Sequence, residues 1–129
     1  MKSVCFQELS ALERGVASVT DWILGPAETL LDAQRDVGRG VADAEALRAA
    51  HEALELQCRP AYARYAELLH RLERLERSAK TPGVGDLKPQ RDFMDFACRS
   101  FANRLERRRN VLISSLRFYR LVDEVRTLA

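Results

Sequence analysis

The stretch that decides the fold runs from Leu47 to Leu75 and reads LRAAHEALELQCRPAYARYAELLHRLERL. Its core-type residues follow one another in alternating steps of four and three: Leu47, His51, Leu54, Cys58, Ala61, Tyr65, Leu68, Leu72 and Leu75. This spacing is typical of a helix that packs lengthwise against other helices, close to coiled-coil geometry. Such a face leaves no obvious pocket, so it favours binding or spacing over chemistry.

The composition fits one helical domain that spans residues 1–129. Apolar residues make up 47% and charged residues 31%, with only 6 Gly and 4 Pro, a profile of long helices rather than of a β-sandwich. The net charge is only +2, so nothing global points to nucleic acid. The charge is uneven, however: residues 91–126 hold nine arginines against five acidic residues, which makes the C-terminal third basic.

The cysteines and the N-terminus indicate a cytoplasmic protein. Cys5, Cys58 and Cys98 are odd in number and far apart, which favours free thiols in a reducing compartment. Charged residues interrupt any signal-peptide core near the N-terminus, and no stretch approaches the roughly 18 apolar residues that a membrane span needs.

The first helix is predicted from about residue 3 to residue 36, with an irregularity at Gly25-Pro26. The four–three rhythm places these residues on its packed face: Leu9, Leu12, Val16, Val19, Ile23, Pro26 and Leu30. A proline inside a helix removes a backbone hydrogen bond and clashes with the preceding turn. We expect a kink or a short break here, or alternatively two helices with the second one starting near Pro26.

Two further helices are predicted at about residues 43–78 and 89–127, separated by the linker SAKTPGVGDLK. Pro60 lies inside the second helix, but the unbroken pattern across it favours one bent helix. The third helix continues the pattern with the apolar residues Met94, Cys98, Phe101, Leu105, Leu112, Tyr119 and Val122. Two positions of the same pattern, Arg108 and Ser115, are polar.

These segments predict an all-α fold, an elongated left-handed antiparallel three-helix bundle with its termini at opposite ends. We expect a structural core that includes Trp22, Leu47, His51, Leu54, Tyr65, Phe101 and Leu112. Because three amphipathic helices of similar length can cover one another, we expect a monomeric or at most weakly associated domain, which suits stacking in tandem with others.

Three motifs resemble the helices of a spectrin repeat. VTDWI at residues 19–23, followed by Leu30-Leu31, resembles the first helix of that family, in which a Trp anchors the core. LRAAHEALE at residues 47–55 resembles the second helix, and LERRR at residues 105–109 resembles the third. The last two also resemble repeats of Dbl-type Rho guanine nucleotide exchange factors and of Sec14-containing scaffolds. The chain departs from the family at Gly25-Pro26 and in lacking a third-helix Trp, a role that we expect Phe101 to fill.

The sequence contains no complete motif for catalysis or for a cofactor. His51-Glu52-Ala-Leu-Glu55 approaches a zincin motif, but its last position is Glu and no third ligand is evident. Glu67-x-x-His70 is half of a di-iron motif without its counterpart. The glycine pair at residues 38 and 40 follows no strand, so it fails as a phosphate loop. We therefore expect a non-enzyme that has no metal and no cofactor.

The remaining candidate is an interaction surface on the basic third helix: Arg104, Arg107, Arg108, Arg109 and Arg117. Guanidinium groups on one face suit carboxylates or phosphates of a partner. Alternatively, these arginines pair with acidic residues of the first helix and lay their stems over the core. No aromatic interleaving accompanies them, so nucleic acid is not expected as a partner.

The sequence as a whole predicts a structural spacer and protein–protein interaction module of a larger cytoplasmic protein. The resemblance implies a cytoskeletal or Rho-signalling setting. The alternative is a peripheral membrane module that binds anionic phospholipids through the third-helix arginines.

Overall fold

The computed structural model describes residues 2–78 and 83–128, with side chains from residue 6 onward. The chain forms α1 (Lys2–Trp22), a π-helical turn (Ile23–Ala27), α2 (Glu28–Asp32), α3 (Val41–Ser78), a 3-10 turn (Val84–Leu87) and α4 (Lys88–Leu128). The first three elements follow without a gap, and we call residues 2–32 the first arm. The first arm, α3 and α4 pack against one another, and the described residues contain no strand. The predicted all-α three-helix bundle is thus confirmed.

The helix bounds differ from the predicted ones mainly at the end of the first arm, which stops at Asp32 rather than at residue 36. The Asp36 carboxylate accepts the backbone N–H groups of Val37 and Gly38, and Gly38 has a left-handed φ of 84°. The helical pattern is already lost at Gln34, whose N–H bonds to the carbonyl of Leu31, three residues back, and the turn at Asp36 keeps the helix from resuming. The predicted linker lies partly outside the described residues, as does the side chain of Cys5.

α3 is one uninterrupted helix, as predicted, and Pro60 lies on its exposed side. All nine residues of the Leu47–Leu75 pattern are buried or half-buried. The helix is antiparallel to α4, because its successive contacts run in opposite directions along the two chains. The pairs are Tyr62 with Cys98, Glu55 with Arg109, and Glu45 with Arg120.

The irregularity predicted at Gly25-Pro26 takes the form of the π-helical turn, in which the backbone stays helical but widens. Pro26 lacks the N–H that would bond to the carbonyl of Trp22, and its ring would clash with that carbonyl in an α-helix. Because the wide turn holds an extra residue, it shifts the pattern by one position. The prediction that Pro26 and Leu30 face the core is therefore wrong: both are exposed, and Ala27 and Leu31 are buried in their place.

The core joins residues from all three layers, and its last member along α4 is Leu105. Its largest members include Leu12, Ile23, Leu72, Met94 and Phe101. Beyond Leu105 the first arm has ended, so α4 runs beside only the start of α3 and the loop of residues 33–40. Ala44, Leu112 and Leu116 are buried there.

The residues expected to form the core are not all enclosed. His51, Leu54, Phe101 and Leu112 are buried, each with 2% or less of its surface exposed. Trp22, Leu47 and Tyr65 are only half-buried, and Trp22 and Tyr65 pack against the core from outside. Trp22 comes immediately before the π-helical turn and lies in the groove between the first arm and α3, where it packs against the core from its edge.

Candidate interaction surface

The bundle divides the five predicted surface arginines among different neighbours. Arg104 faces the first arm: its Nη1 lies 2.5 Å from Glu28 Oε1, and its Nη2 lies 3.6 Å from Asp32 Oδ1. The hydrogen bond to Glu28 raises the pKa of this guanidinium above its ordinary value. The guanidinium carbon also lies 5.9 Å from the centre of the Phe101 ring. Arg104 therefore fastens α4 to the first arm.

Arg108 contributes to the structure rather than to the surface. It donates to the backbone carbonyl of Asp36, which holds the loop of residues 33–40 against α4. Its Nε is buried and has no partner among the described atoms, and burial lowers the pKa of this guanidinium. Arg108, a polar residue in the otherwise apolar packed face of α4, thus attaches the loop.

Arg109 belongs to a chain of polar contacts that joins α4 to α3. Its Nε lies 2.8 Å from Glu55 Oε1, and the same oxygen lies 3.0 Å from His51 Nε2. His51 Nε2 is also 3.0 Å from the carbonyl oxygen of Leu105. Because both neighbours of Nε2 are acceptors, we assign the ring proton to that nitrogen. This leaves the buried Nδ1 as an acceptor with no partner among the described atoms.

Arg107 and Arg117 are the two of the five that remain exposed and outside the ion pairs of the described residues. They lie ten residues apart on α4. The predicted surface is therefore not a single cluster of available guanidinium groups. Helical geometry explains this, since residues 107, 108 and 109 point in directions about 100° apart.

A second set of polar contacts lies further along the α3–α4 interface. The Tyr62 hydroxyl donates to the carbonyl of Cys98 at 2.6 Å, and the Tyr65 hydroxyl donates to Asp95, which also accepts from Arg99 Nε at 2.9 Å. The hydrogen bond from Tyr65, together with Arg99, lowers the pKa of Asp95. Burial and the Asp95 carboxylate raise the pKa of Tyr65. These contacts fix the register of the two helices.

An open groove of about 480 Å³ lies between α3 and α4 on the surface of the bundle. We call it the α3–α4 groove; its lining residues include Leu56, Tyr62, Ala102 and Leu105, with Glu52, Glu55, Arg59 and Arg109 as the charged ones. Leu56 is 55% exposed. The groove thus combines an apolar surface with charges of both signs, the features of a protein-docking surface. The sequence interpretation missed it, although an apolar Leu56 off the packed face of α3 was a signal for it.

Two buried thiols lie at or near the groove. Burial raises the pKa of the Cys58 thiol and raises that of the Cys98 thiol to about 11, so both stay protonated at neutral pH. Both are free thiols. Within residues 2–78 and 83–128, no three His, Cys, Asp or Glu residues cluster in a way that suits a metal ion.

None of the helices in the described part of the chain combines the length and the apolar character needed to cross a bilayer.

Comparison with known proteins gives one informative similarity. The chain is 26% identical over 118 residues to SEC14 domain and spectrin repeat-containing protein 1 of Xenopus tropicalis, a match that covers 92% of this chain and 17% of the relative. No family model matches the chain, and no solved structure matches it significantly. The similarity and the three-helix bundle are together consistent with a spectrin-like repeat. The chain spans about a sixth of the relative, so the activity of that whole protein does not transfer to it.

Proposed function

We propose that the chain is a non-catalytic structural spacer and protein–protein interaction module of a larger cytoplasmic cytoskeletal or Rho-signalling protein. The relative has a SEC14 domain and spectrin repeats by name, and this chain matches only 17% of its length, as a module of a larger protein does. The described residues build a long bundle with one continuous core of buried side chains from the first arm, α3 and α4. This arrangement supports a mechanical and binding role.

The observation that carries the binding role is the α3–α4 groove with its exposed Leu56. An apolar side chain beside Tyr62, flanked by the acidic Glu52 and the basic Arg59, suits a partner helix that brings one apolar residue and charges of both signs. Interfaces of this kind concentrate their binding energy on a few apolar contacts at the centre. Leu56 would be such a contact.

The test compares the wild-type chain with Leu56→Glu, in cells that make each as an affinity-tagged protein. We expect a defined set of proteins to be recovered with the wild type and lost, by about tenfold or more, with the variant, because a buried glutamate leaves a charge unpaired. Leu24→Glu is the matched control: Leu24 is 47% exposed and lies on the first arm, outside the groove. Direct binding is then measured with each purified partner.

Helical content and the melting temperature must stay unchanged in both variants, since both residues are exposed. If Leu56→Glu and Leu24→Glu recover the same proteins as the wild type, the groove is not the docking site. For the spacer role, small-angle scattering should show a rod of roughly 60 Å, the length of a 41-residue helix. A compact sphere would contradict that role.

The alternative, binding of anionic phospholipids, now rests on Arg107 and Arg117, because the other three arginines contact groups of the bundle. Vesicles of phosphatidylcholine with and without a phosphoinositide provide the test. Salt-sensitive pelleting that is lost in Arg107→Glu/Arg117→Glu would favour the membrane role over the spacer role.

A further inference from the structure

α4 carries a second apolar stripe, on the side that faces away from the bundle. Its residues follow steps of three and four: Val111, Ser114, Phe118, Leu121, Val125 and Leu128. The five apolar ones are 47%, 60%, 60%, 64% and 88% exposed in that order, and Ser114 is exposed as well. We call this set the outer stripe. An exposed heptad pattern of this regularity marks a helix face that packs against another helix.

The bundle itself does not cover the outer stripe. The inward side of the same part of α4 is occupied by Leu112 and Leu116, which are buried. Tyr119 and Arg120 make contacts near the start of α3, to the carbonyl of Gly38 and to Glu45. Because Glu45 lies beside Arg120 and α3 begins only four residues earlier, at Val41, the last turn of α4 extends past the start of α3. The outer stripe is therefore exposed to solvent, because it faces away from the bundle and part of it lies beyond the start of α3.

We propose that the outer stripe pairs with the outer stripe of a second copy of this chain, in antiparallel orientation. With the two-fold axis beside residues 119 and 120, Phe118 lies opposite Leu121 of the second copy. Ser114 then lies opposite Val125, and Val111 opposite Leu128. Each pair occurs twice, which gives six layers, and the small Ser114 leaves room for Val125. The sequence is thus complementary to itself in this register.

The charges beside the outer stripe select the antiparallel orientation. Arg117 and Glu124 each come directly before an apolar stripe residue, and both are exposed and outside the ion pairs of the described residues. In the antiparallel register, Arg117 of each copy faces Glu124 of the other, so two equivalent ion pairs form. In a parallel pairing, each of these charges would face an apolar position instead. Interfacial charges of this kind set orientation more than affinity.

This dimer is independent of the proposed docking groove, because the groove lies along Leu56 and Tyr62 and leaves the outer stripe free. The paired segment covers residues 111–128 and is roughly 27 Å long. A contact this short buries less surface than a standard interface, so we expect a dissociation constant in the micromolar range. The expectation of an isolated monomer would then hold only for dilute protein.

Sedimentation equilibrium of the 129-residue chain over the micromolar range tests the dimer. Phe118→Glu should weaken association by about a hundredfold or more, since it places two charges in the central layers. Phe96→Glu is the matched control: Phe96 is 69% exposed on α4 but lies outside the paired segment, so association should be unchanged.

Charge exchange tests the orientation. Arg117→Glu and Glu124→Arg alone should each weaken association by about tenfold, because each creates two like-charge contacts. The double variant Arg117→Glu/Glu124→Arg should restore it, since the opposite charges face each other again. A wild-type chain that stays monomeric overturns the proposal. Weakened single variants without rescue by the double variant overturn the antiparallel pairing.

Discussion

Two regions of the bundle differ in what packs against α4: two helices in one region, and one helix and a loop in the other. In the three-helix section, which extends along α4 to Leu105, side chains from the first arm, α3 and α4 form one continuous core. In the two-helix end, α4 from Arg109 to Arg120 runs beside α3 from Glu55 to Glu45, and the loop of residues 33–40 takes the place of the missing helix. There the loop is held by hydrogen bonds, from Arg108 to the carbonyl of Asp36 and from Tyr119 to that of Gly38 at 2.8 Å.

The difference shows how helix length assigns roles within one fold. α4 has 41 residues and continues to Leu128, whereas the first arm ends at Asp32. The C-terminal part of α4 therefore has no first-arm helix beside it. A helix with two neighbours can bury one wide apolar face, but a helix with fewer neighbours leaves part of its apolar surface in water. The three-helix section is therefore expected to supply stability, and the two-helix end to supply surface for binding.

The largest expected effect contrasts Phe101→Ala with Leu112→Ala. Both side chains are buried, with 1% and 0% exposure, but Phe101 belongs to the three-helix core and Leu112 to the two-helix end. We expect losses in unfolding free energy of about 4 kcal/mol and about 2 kcal/mol, because a thinner region collapses more readily around a cavity. Urea denaturation of both variants measures the difference. Equal losses would contradict the division into two regions.

Trp22→Ala measures how much the edge of the three-helix core contributes. Full burial of an indole would give a loss of about 3–5 kcal/mol on truncation, but Trp22 is half-buried beside the π-helical turn, so we expect about 2 kcal/mol. Trp22→Phe should keep most of the stability. Tryptophan emission is an independent measurement, and a maximum as blue-shifted as that of a fully enclosed indole would show that the groove is closed in solution.

Asp95→Asn tests the polar contacts that fix α3 against α4. Tyr65 and Arg99 lower the pKa of Asp95, so the folded state favours the carboxylate. Its contribution, about 1 kcal/mol, is present above the unfolded pKa of about 4 and is lost as the pH falls through the lower folded value. Wild type should thus exceed Asp95→Asn in stability at pH 7, and the gap should shrink below pH 4. A gap that is constant with pH would rule out this ionisation as the cause.

The smallest expected effect comes from Gly25→Ala in the π-helical turn. No heavy atom lies within 4 Å of the position that a Cβ would take, so the methyl group fits and reduces the freedom of the unfolded chain. We expect a gain of about 0.5 kcal/mol in thermal unfolding. Gly38→Ala is the control and should be destabilising, because Gly38 has a φ of 84° and its Cβ would lie 2.8 Å from Asp43 Cβ. A loss for Gly25→Ala would mean that the turn needs glycine itself.

The interaction surface was less accessible from the sequence than the fold was. The arginines of α4 stood out by composition, but which of them pair depends on where Glu28, Glu55 and the carbonyl of Asp36 lie in space. The outer stripe was readable as a pattern, since Phe118, Leu121 and Val125 keep helical spacing. Without a structure, nothing distinguished it from the packed face, because Leu112 and Tyr119 keep helical spacing on the same helix.

The sequence by itself determined the helices, their order and the packed face of α3, because the spacing of apolar residues depends only on the helical repeat. It also located the irregularity at Pro26, since the missing N–H is a local property. Only the tertiary structure decided that a π-helical turn would move Ala27 and Leu31 into the core and that Trp22 would stay at the edge. It also decided that α4 would extend beyond the end of the first arm. Each of these depends on how far one helix extends beside another and in which phase, and such distances arise only when the helices pack.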